Sequence, residues 1–348
     1  MKGRRIVMLA VGDERVASVR YRVLAYRPAL ERAGFVPLVR FPLSVGREPM
    51  SRRVARTLDL VRDAYGESDC DLLFVHRKTY PSFFSHRLVR PGRPVVFDLD
   101  DALDLPPPGR QVGAATRLRY SRNFDATVRA SDLVVCGSAE LAARVSSHPH
   151  EILPTPVDTE RFAPGAVPPP SGPVLGWVGH SDNLGYLEAL AEPLREVAKR
   201  HPGLKLIVVA DRPPQIPGLT IEFRHWRLEE ELSCFGGIGV GLMPLEDSPW
   251  TRAKCAFKAI QYMALGIATV ASPVGMSRDL IRDGEGGFLP TDGADWVRAL
   301  DALLSDKALA SRIGLEGRRI VERDYALDRV SRRFIGILEL LISSRSRA

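Results

Sequence analysis

The sequence predicts an α/β protein built from two doubly wound parallel sheets, and three observations carry that expectation. Short apolar runs alternate with amphipathic segments along the whole chain, the pattern of strands covered on both faces by helices. The runs are continuously apolar, as RIVMLAV at 5–11 and DLLFV at 71–75 illustrate, which suits strands buried on both sides. The alternation breaks once, at PGAVPPPSGP over 164–173, a stiff stretch without periodicity, and then restarts.

Taken in order, strand 5–11 leads through a loop at 12–18 into a helix that runs to Ala33 and stops at Gly34. Strand 35–41 follows. Over 51–65, Arg52, Arg53, Arg56 and Arg62 stand against Val54, Leu58 and Val61, the spacing of a basic amphipathic helix. Strand 71–75 is closed by His76, and strand 94–99 by Asp100 and Asp101. A proline-rich loop at 106–109, a helix to Ala130, strand 133–136 and a helix capped by Ser138 complete the first half. Beyond the break come strand 174–178, a helix within 181–200, and strands at 204–210, 221–223, 238–243 and 268–271. An amphipathic helix over 325–342 closes the chain, with Val330, Phe334, Ile337, Leu338 and Leu341 on one side. The expected organisation is a first domain at 1–165, a second at 171–324, and a closing helix at 325–348. In open parallel sheets ligands bind at the carboxyl ends of the strands, so two such domains predict a cleft enzyme or a two-lobed binding protein.

The chain has 348 residues, 45% hydrophobic and 26% charged, the composition of an ordinary soluble globular protein. No apolar run approaches the roughly 20 residues that cross a bilayer, and the apolar part of MKGRRIVMLAVG is too short for a signal peptide. The four cysteines, at 70, 136, 234 and 255, lack metal-ligand or disulfide-framework spacing. They are expected to be reduced, in the cytoplasm. Residues 1–165 hold 26 of the 49 Lys/Arg and 19 of the 42 Asp/Glu, which leaves 23 of each for the rest. The net charge of +7 therefore belongs to the first half, and a one-sided basic domain suits an anionic partner. No zinc-finger, RNA-recognition or helix-turn-helix pattern accompanies it, which argues against nucleic acid.

The most informative stretch is SPWTRAKCAFKAIQYMALGIATVASPVG at 248–275. It reads as loop, helix and buried strand, with Lys254, Lys258 and Gln261 at i, i+4 and i+7 on one helical face and Gly266 as the stop. Two lysines at a helix start repel the positive end of the macrodipole unless an anion lies between them. The stretch is a diphosphate site or, alternatively, a solvated basic face. A second cluster, FDLDDAL at 97–103, gathers Asp98, Asp100 and Asp101, which repel one another unless something answers them. A capped turn and a divalent-cation site are the other readings of that cluster.

The order of motifs, and QYMALGIATVASPVG at 261–275 above all, resembles the family 4 (group 1) glycosyltransferases of GT-B fold. The family pattern there is Glu-Ala-Met-Ala-x-Gly-x-Pro-Val with a second Glu eight positions earlier; this chain has Gln261 and Ala253. The resemblance implies two Rossmann-like parallel-sheet domains facing each other across a cleft, with the C-terminal helix returning to the first. It implies that the second domain binds a nucleoside-diphosphate sugar. Gln261 would meet the ribose, Arg252, Lys254 and Lys258 the diphosphate, and the backbone of Lys254, Cys255, Ala256 and Phe257 the sugar. Where the family places an Arg and a Lys after the first strand of this domain, Gly179, His180 and Ser181 stand; Ser181 and the helix start there would donate to phosphate, or Ser181 is a plain helix cap. In the first domain, Asp100 and Asp98 occupy the place of a family histidine and would act on the acceptor hydroxyl, Asp100 foremost. Gly12, Arg20 and Arg22 would approach the donor phosphates, and His76 and Asp101 the acceptor.

The expected activity is thus transfer of a sugar to a hydroxyl-bearing glycan or lipid-linked acceptor, retaining, with no metal and no cofactor. Arg52, Arg53 and Arg56 suit contact with an anionic membrane at its cytoplasmic face or, alternatively, form a solvated face. A nucleotide-sugar epimerase of the same fold, a GT-A-like enzyme and a non-catalytic nucleotide-sugar binder remain as alternatives.

Overall fold

The computed structural model describes residues 3–43, 49–66, 70–107 and 112–345, with the side chains of 49–53 and 345 outside that description. The chain divides into two compact units. The first comprises Met1–Pro156 with Ala253–Cys255 and Leu327–Ala348; the second comprises Val157–Arg252 and Ala256–Ala326. The break after Pro156 precedes the proline-rich stretch.

The first unit holds a six-stranded sheet of β1 (Arg4–Leu9), β2 (Phe35–Arg40), β3 (Leu72–His76), β4 (Val95–Leu99), β5 (Leu133–Cys136) and β6 (His150–Ile152). All its pairings are parallel, in the order β2-β1-β3-β4-β5-β6. Its helices are α1 (Ala17–Arg22), α2 (Arg27–Arg32), α3 (Pro49–Tyr65), α4 (Ser82–Leu88), α5 (Ala114–Arg129) and α6 (Ala139–Ala143). The helix expected as one piece up to Ala33 is two, joined by a 3-10 turn at Leu24–Tyr26. Pro28 follows in the first turn of α2, where its missing N–H costs nothing.

The second unit repeats the plan with β7 (Val174–Val178), β8 (Lys205–Ala210), β9 (Ile221–His225), β10 (Val240–Met243) and β11 (Ala268–Ala271), parallel in the order β11-β10-β7-β8-β9. Around them lie α7 (Leu184–Glu188), α8 (Ala191–Arg200), α9 (Pro249–Arg252), α10 (Phe257–Ala264), α11 (Ser277–Leu280), α12 (Gly293–Ser305) and α13 (Lys307–Asp324). The segment expected as one helix within 181–200 is a 3-10 turn at Ser181–Asn183 followed by α7 and α8. Finally α14 (Leu327–Arg345) packs within the first unit. Its Phe334 sits 4.5 Å from Tyr26 and 5.4 Å from Phe74, ring centroid to ring centroid, among Ile6, Met8 and Val96. Continuous burial of β3, β4, β7, β10 and β11, and of β1 and β8 past their exposed starts, explains their legibility as apolar runs.

In each sheet the strand order reverses once, between β1 and β3 in the first and between β7 and β10 in the second. Loops leaving the carboxyl ends of those strands border the place where open α/β sheets bind ligands.

Candidate functional site

At the reversal point of the first unit lies a buried ionic cluster. Arg22, at the end of α1, is wholly buried. Its Nη2 donates to Asp98 Oδ1 at 2.6 Å and its Nε to Asp98 Oδ2 at 3.0 Å, while Nη1 donates to Leu153 O and Thr155 Oγ1. Asp98 Oδ2 also meets His76 Nδ1 at 2.7 Å, and His76 Nε2 meets Ser18 Oγ at 3.1 Å. Burial pushes the Asp98 carboxyl up, but Arg22 and His76 outweigh it and hold it below the usual carboxylate range. Asp98, Arg22 and His76 are therefore spent on one another inside the unit. The residues expected to reach phosphate (Arg22), an acceptor (His76) and the reacting hydroxyl (Asp98) are thus brought together in one buried cluster in which each polar atom has a partner.

Asp100 and Asp101 belong to a second layer nearer the surface. Arg77 Nε lies 3.0 Å from Asp100 Oδ1 and Arg77 Nη2 donates to Asp101 Oδ2 at 2.9 Å, while Nη1 donates to Ser18 Oγ. Arg77 does this from a left-handed backbone conformation, φ 55°, uncommon for a residue with a side chain. Burial lifts the Asp101 carboxyl above its ordinary value, and Arg77 and Lys254 only partly offset it. Cys255 donates its thiol to Asp100 O at 3.4 Å, and burial pushes that thiol well up, so it is an inert packing group. The three carboxylates thus divide between two sets of partners, Asp98 on Arg22 and His76, the other two on Arg77. Elsewhere in this unit, Gly12 is buried after β1, and Arg20 Nη1 donates to Glu14 O at 2.6 Å while its guanidinium lies over Tyr21.

The second unit places α10 at its own reversal point. Tyr262 fixes the helix there: its hydroxyl accepts from Val178 N at 2.9 Å and its ring lies against Gly241 of β10 and Phe235. Arg318 Nη1 donates to Ala264 O at 2.7 Å at the other end. The helix begins at Phe257, after Ala256 with φ 47°. Lys254 consequently lies outside the helix and groups with the first unit, and the face expected to align Lys254, Lys258 and Gln261 holds only the last two. Lys258 Nζ donates to Gln261 Oε1 at 2.8 Å and lies 5.7 Å from the Phe235 ring centre. Gln261 is fully buried. The first turn carries no acidic residue and no side-chain cap, so Lys258 adds to the positive end of the dipole.

Two other expected phosphate ligands are already engaged. Arg252 Nε donates to Asp247 Oδ1 at 2.5 Å and Nη2 to Asp247 Oδ2 at 3.0 Å. The backbone of Arg252 runs so close to Gly275, φ 51°, that a Cβ there would meet Arg252 O at 2.1 Å, which glycine alone permits. Ser181 donates through both N and Oγ to the Asp211 carboxylate, each at 2.7 Å. The donors of Ser181 expected to meet phosphate thus face a carboxylate that follows β8. His180 is exposed and lies 3.3 Å from Asp182 and 3.9 Å from Asp211. Gly179 makes room for the Trp177 indole, which an added Cβ would meet at 2.5 Å. Sequence reasoning missed Asp211, and it missed that Arg77 and Ser18 join the carboxylate cluster. Arg77 stood in view beside His76, but nothing local marked its left-handed backbone.

Among the described residues no group of three or more His, Cys, Asp and Glu is arranged to hold a metal ion, and no helix is long and apolar enough to cross a membrane. The fold is GT-B in its plan of two Rossmann-like parallel-sheet units. Residues 172–306 match the family described as "Glycosyl transferases group 1". The D-inositol 3-phosphate glycosyltransferase of Nocardia farcinica (strain IFM 10152) is 27% identical over 192 residues, covering 47% of this chain and 42% of that protein; the match spans less than half of the relative's length. Among solved structures, sucrose-phosphate synthase from Thermosynechococcus elongatus aligns with TM-score 0.73 at 16% identity, over 98% of this chain and 100% of that one. HepE of Anabaena, solved with UDP, aligns with TM-score 0.66 at 15% identity, over 97% and 100%. At these identities the likeness to the solved structures is one of fold.

Proposed function

We propose that the chain transfers a sugar from a nucleoside-diphosphate donor to a hydroxyl of a glycan or lipid-linked acceptor. One observation carries this reading: the glycosyltransferase match over 172–306 contains β7, β10 and α10, the reversal point at which an open sheet binds its ligand. In this reading Lys258 neutralises charge developing on the departing nucleoside diphosphate, the kind of term that often dominates catalysis. Gln261 holds that ammonium through Oε1, at the position where the resemblance places the ribose contact. In the first unit, Asp101 and Asp100, steadied by Arg77, are the groups for the acceptor hydroxyl. A carboxyl raised by burial is the better proton acceptor near neutral pH. Retention of configuration, independence from divalent metal and a cytoplasmic location belong to the same proposal.

The test is thermal unfolding against uridine, guanosine, thymidine and adenosine diphosphates and their sugars, with and without chelator. One nucleotide series should raise the unfolding temperature by simple linkage, equally in chelator, and turnover with the matching sugar should yield the retained anomer. Stabilisation by none of them would sink the donor assignment, and an inverted product would remove the retaining mechanism.

A further inference from the structure

We propose that the outer face of α3 and α4 is a docking surface for an anionic lipid bilayer. The helix α3 is turned the wrong way round for a helix that covers a sheet. Its inward side carries two carboxylates: Asp59 accepts from Leu43 N at 2.9 Å, and Asp63 accepts from Tyr80 Oη at 3.0 Å and from Lys78. Both are buried. With that side fixed by charge, the apolar residues at i, i+4, i+7 and i+11 face outward, Val54 at 62%, Leu58 at 53%, Val61 at 43% and Tyr65 at 49% exposure. At 3.6 residues per turn the four fall within about 60° of one another, a stripe about 16 Å long. The stripe continues onto α4: Arg87 lies over both the Tyr65 ring, at 5.6 Å, and the Phe83 ring, at 5.1 Å, and Phe83 is itself 60% exposed.

Charge selects the occupant. Between Asp71 and Asp98 the sequence holds no acidic residue, and of the cations there Arg87 is exposed and Arg90 half-buried at the surface. On α3 both acidic residues are turned inward, and Arg56 is exposed on the surface. Among the described residues of α3 and α4, the outer face is therefore apolar and cationic with no carboxylate. A second copy of the chain would set two cationic faces together. A bilayer of anionic lipid supplies hydrocarbon for the stripe and negative charge for the arginines, the pairing that holds an amphipathic helix in a membrane interface. The inference adds a membrane surface to the reading above and does not rest on sugar transfer, since binding is read without nucleotide and either can fail alone.

The experiment is flotation of the full chain with vesicles of phosphatidylcholine alone and of phosphatidylcholine mixed with phosphatidylglycerol, at low and high salt. The protein should float with the anionic vesicles only, and less at high salt as screening grows. Leu58→Gln with Val61→Gln should lower partitioning by at least about tenfold, with unfolding temperature unchanged because both sites are exposed; Phe83→Ser, on the other helix, should act the same way. Failure to float with anionic vesicles, or equal flotation of the double variant, overturns the proposal. So does a wild-type dimer, or a complex with an acidic protein, that the double variant abolishes without any vesicle binding.

Discussion

The two reversal points use charge in opposite ways. In the first unit, Arg22, Asp98 and His76 are sunk below the surface and satisfied by each other. In the second, Lys258 stands in the first turn of α10, where its contacts include the Gln261 carboxamide and the Phe235 ring. A buried ion pair is costly to break because the partner left behind stays uncompensated, whereas a half-exposed lysine can be removed with little effect on folding. The same sheet plan therefore supports a buried ionic cluster in one unit and, in the reading proposed above, an anion-facing lysine in the other. Residue type alone does not distinguish them.

Breaking the buried cluster should have the largest effect. Asp98→Asn leaves the Arg22 guanidinium without its counter-charge and should cost about 3–5 kcal/mol, seen as an early transition of the first unit in denaturant unfolding while the second unit is unmoved. A loss below about 1 kcal/mol would show the cluster to be solvated and the contrast false. Next in size, Lys258→Ala should lower donor affinity or turnover at least about tenfold, roughly 1.4 kcal/mol, with the unfolding transitions unchanged. Unaltered kinetics would remove the lysine from its role.

A smaller effect is expected at the strained entry to α10. Ala256 holds φ 47°, a conformation that disfavours a Cβ by roughly 1–2 kcal/mol. Glycine relieves that but frees the unfolded chain, so Ala256→Gly should gain about half a kcal/mol in the midpoint of the second unit. A destabilised variant would mean that the methyl packs better than the strain costs.

The smallest effect is the slope of stability with pH. The folded pKa of Asp98 lies below its unfolded value, so its contribution is complete above about pH 4 and is lost as pH falls through the folded value. Asp101 is raised, so its contribution is complete below about pH 4 and is lost as pH rises. Asp98→Asn should remove the acid-side loss, and Asp101→Asn should flatten the opposite slope, both read from unfolding midpoints between acid and neutral pH. Parallel slopes in the two variants would contradict the contrast between buried and half-buried carboxylates.

The strands were legible because burial on both faces demands apolar runs, and LLFV before His76, VVF before Asp98 and VLGWV are such runs. The helix α10 was legible from Gly266 and from the spacing of Ala259, Ile260 and Met263. Its start was not, since Ala256 turns left-handed under packing that no local pattern records. The orientation of α3 was likewise hidden: its apolar stripe reads as a core face, but Asp59 and Asp63 are the buried residues, with donors at Leu43, Lys78 and Tyr80. Periodicity shows that a helix has two faces and not which one is turned inward.

By itself the sequence determined the two α/β sheets, the break between them, the basic excess of the first half and the residue types near each strand end. These depend on hydrophobic period and turn chemistry, which act between near neighbours. Tertiary structure alone decided which charges are consumed. Arg22 meets Asp98 across 76 residues and Ser181 meets Asp211 across 30. The reason is that an ionic group buried in folding must take whatever counter-charge the topology brings within reach, and topology joins strand ends that lie far apart along the chain.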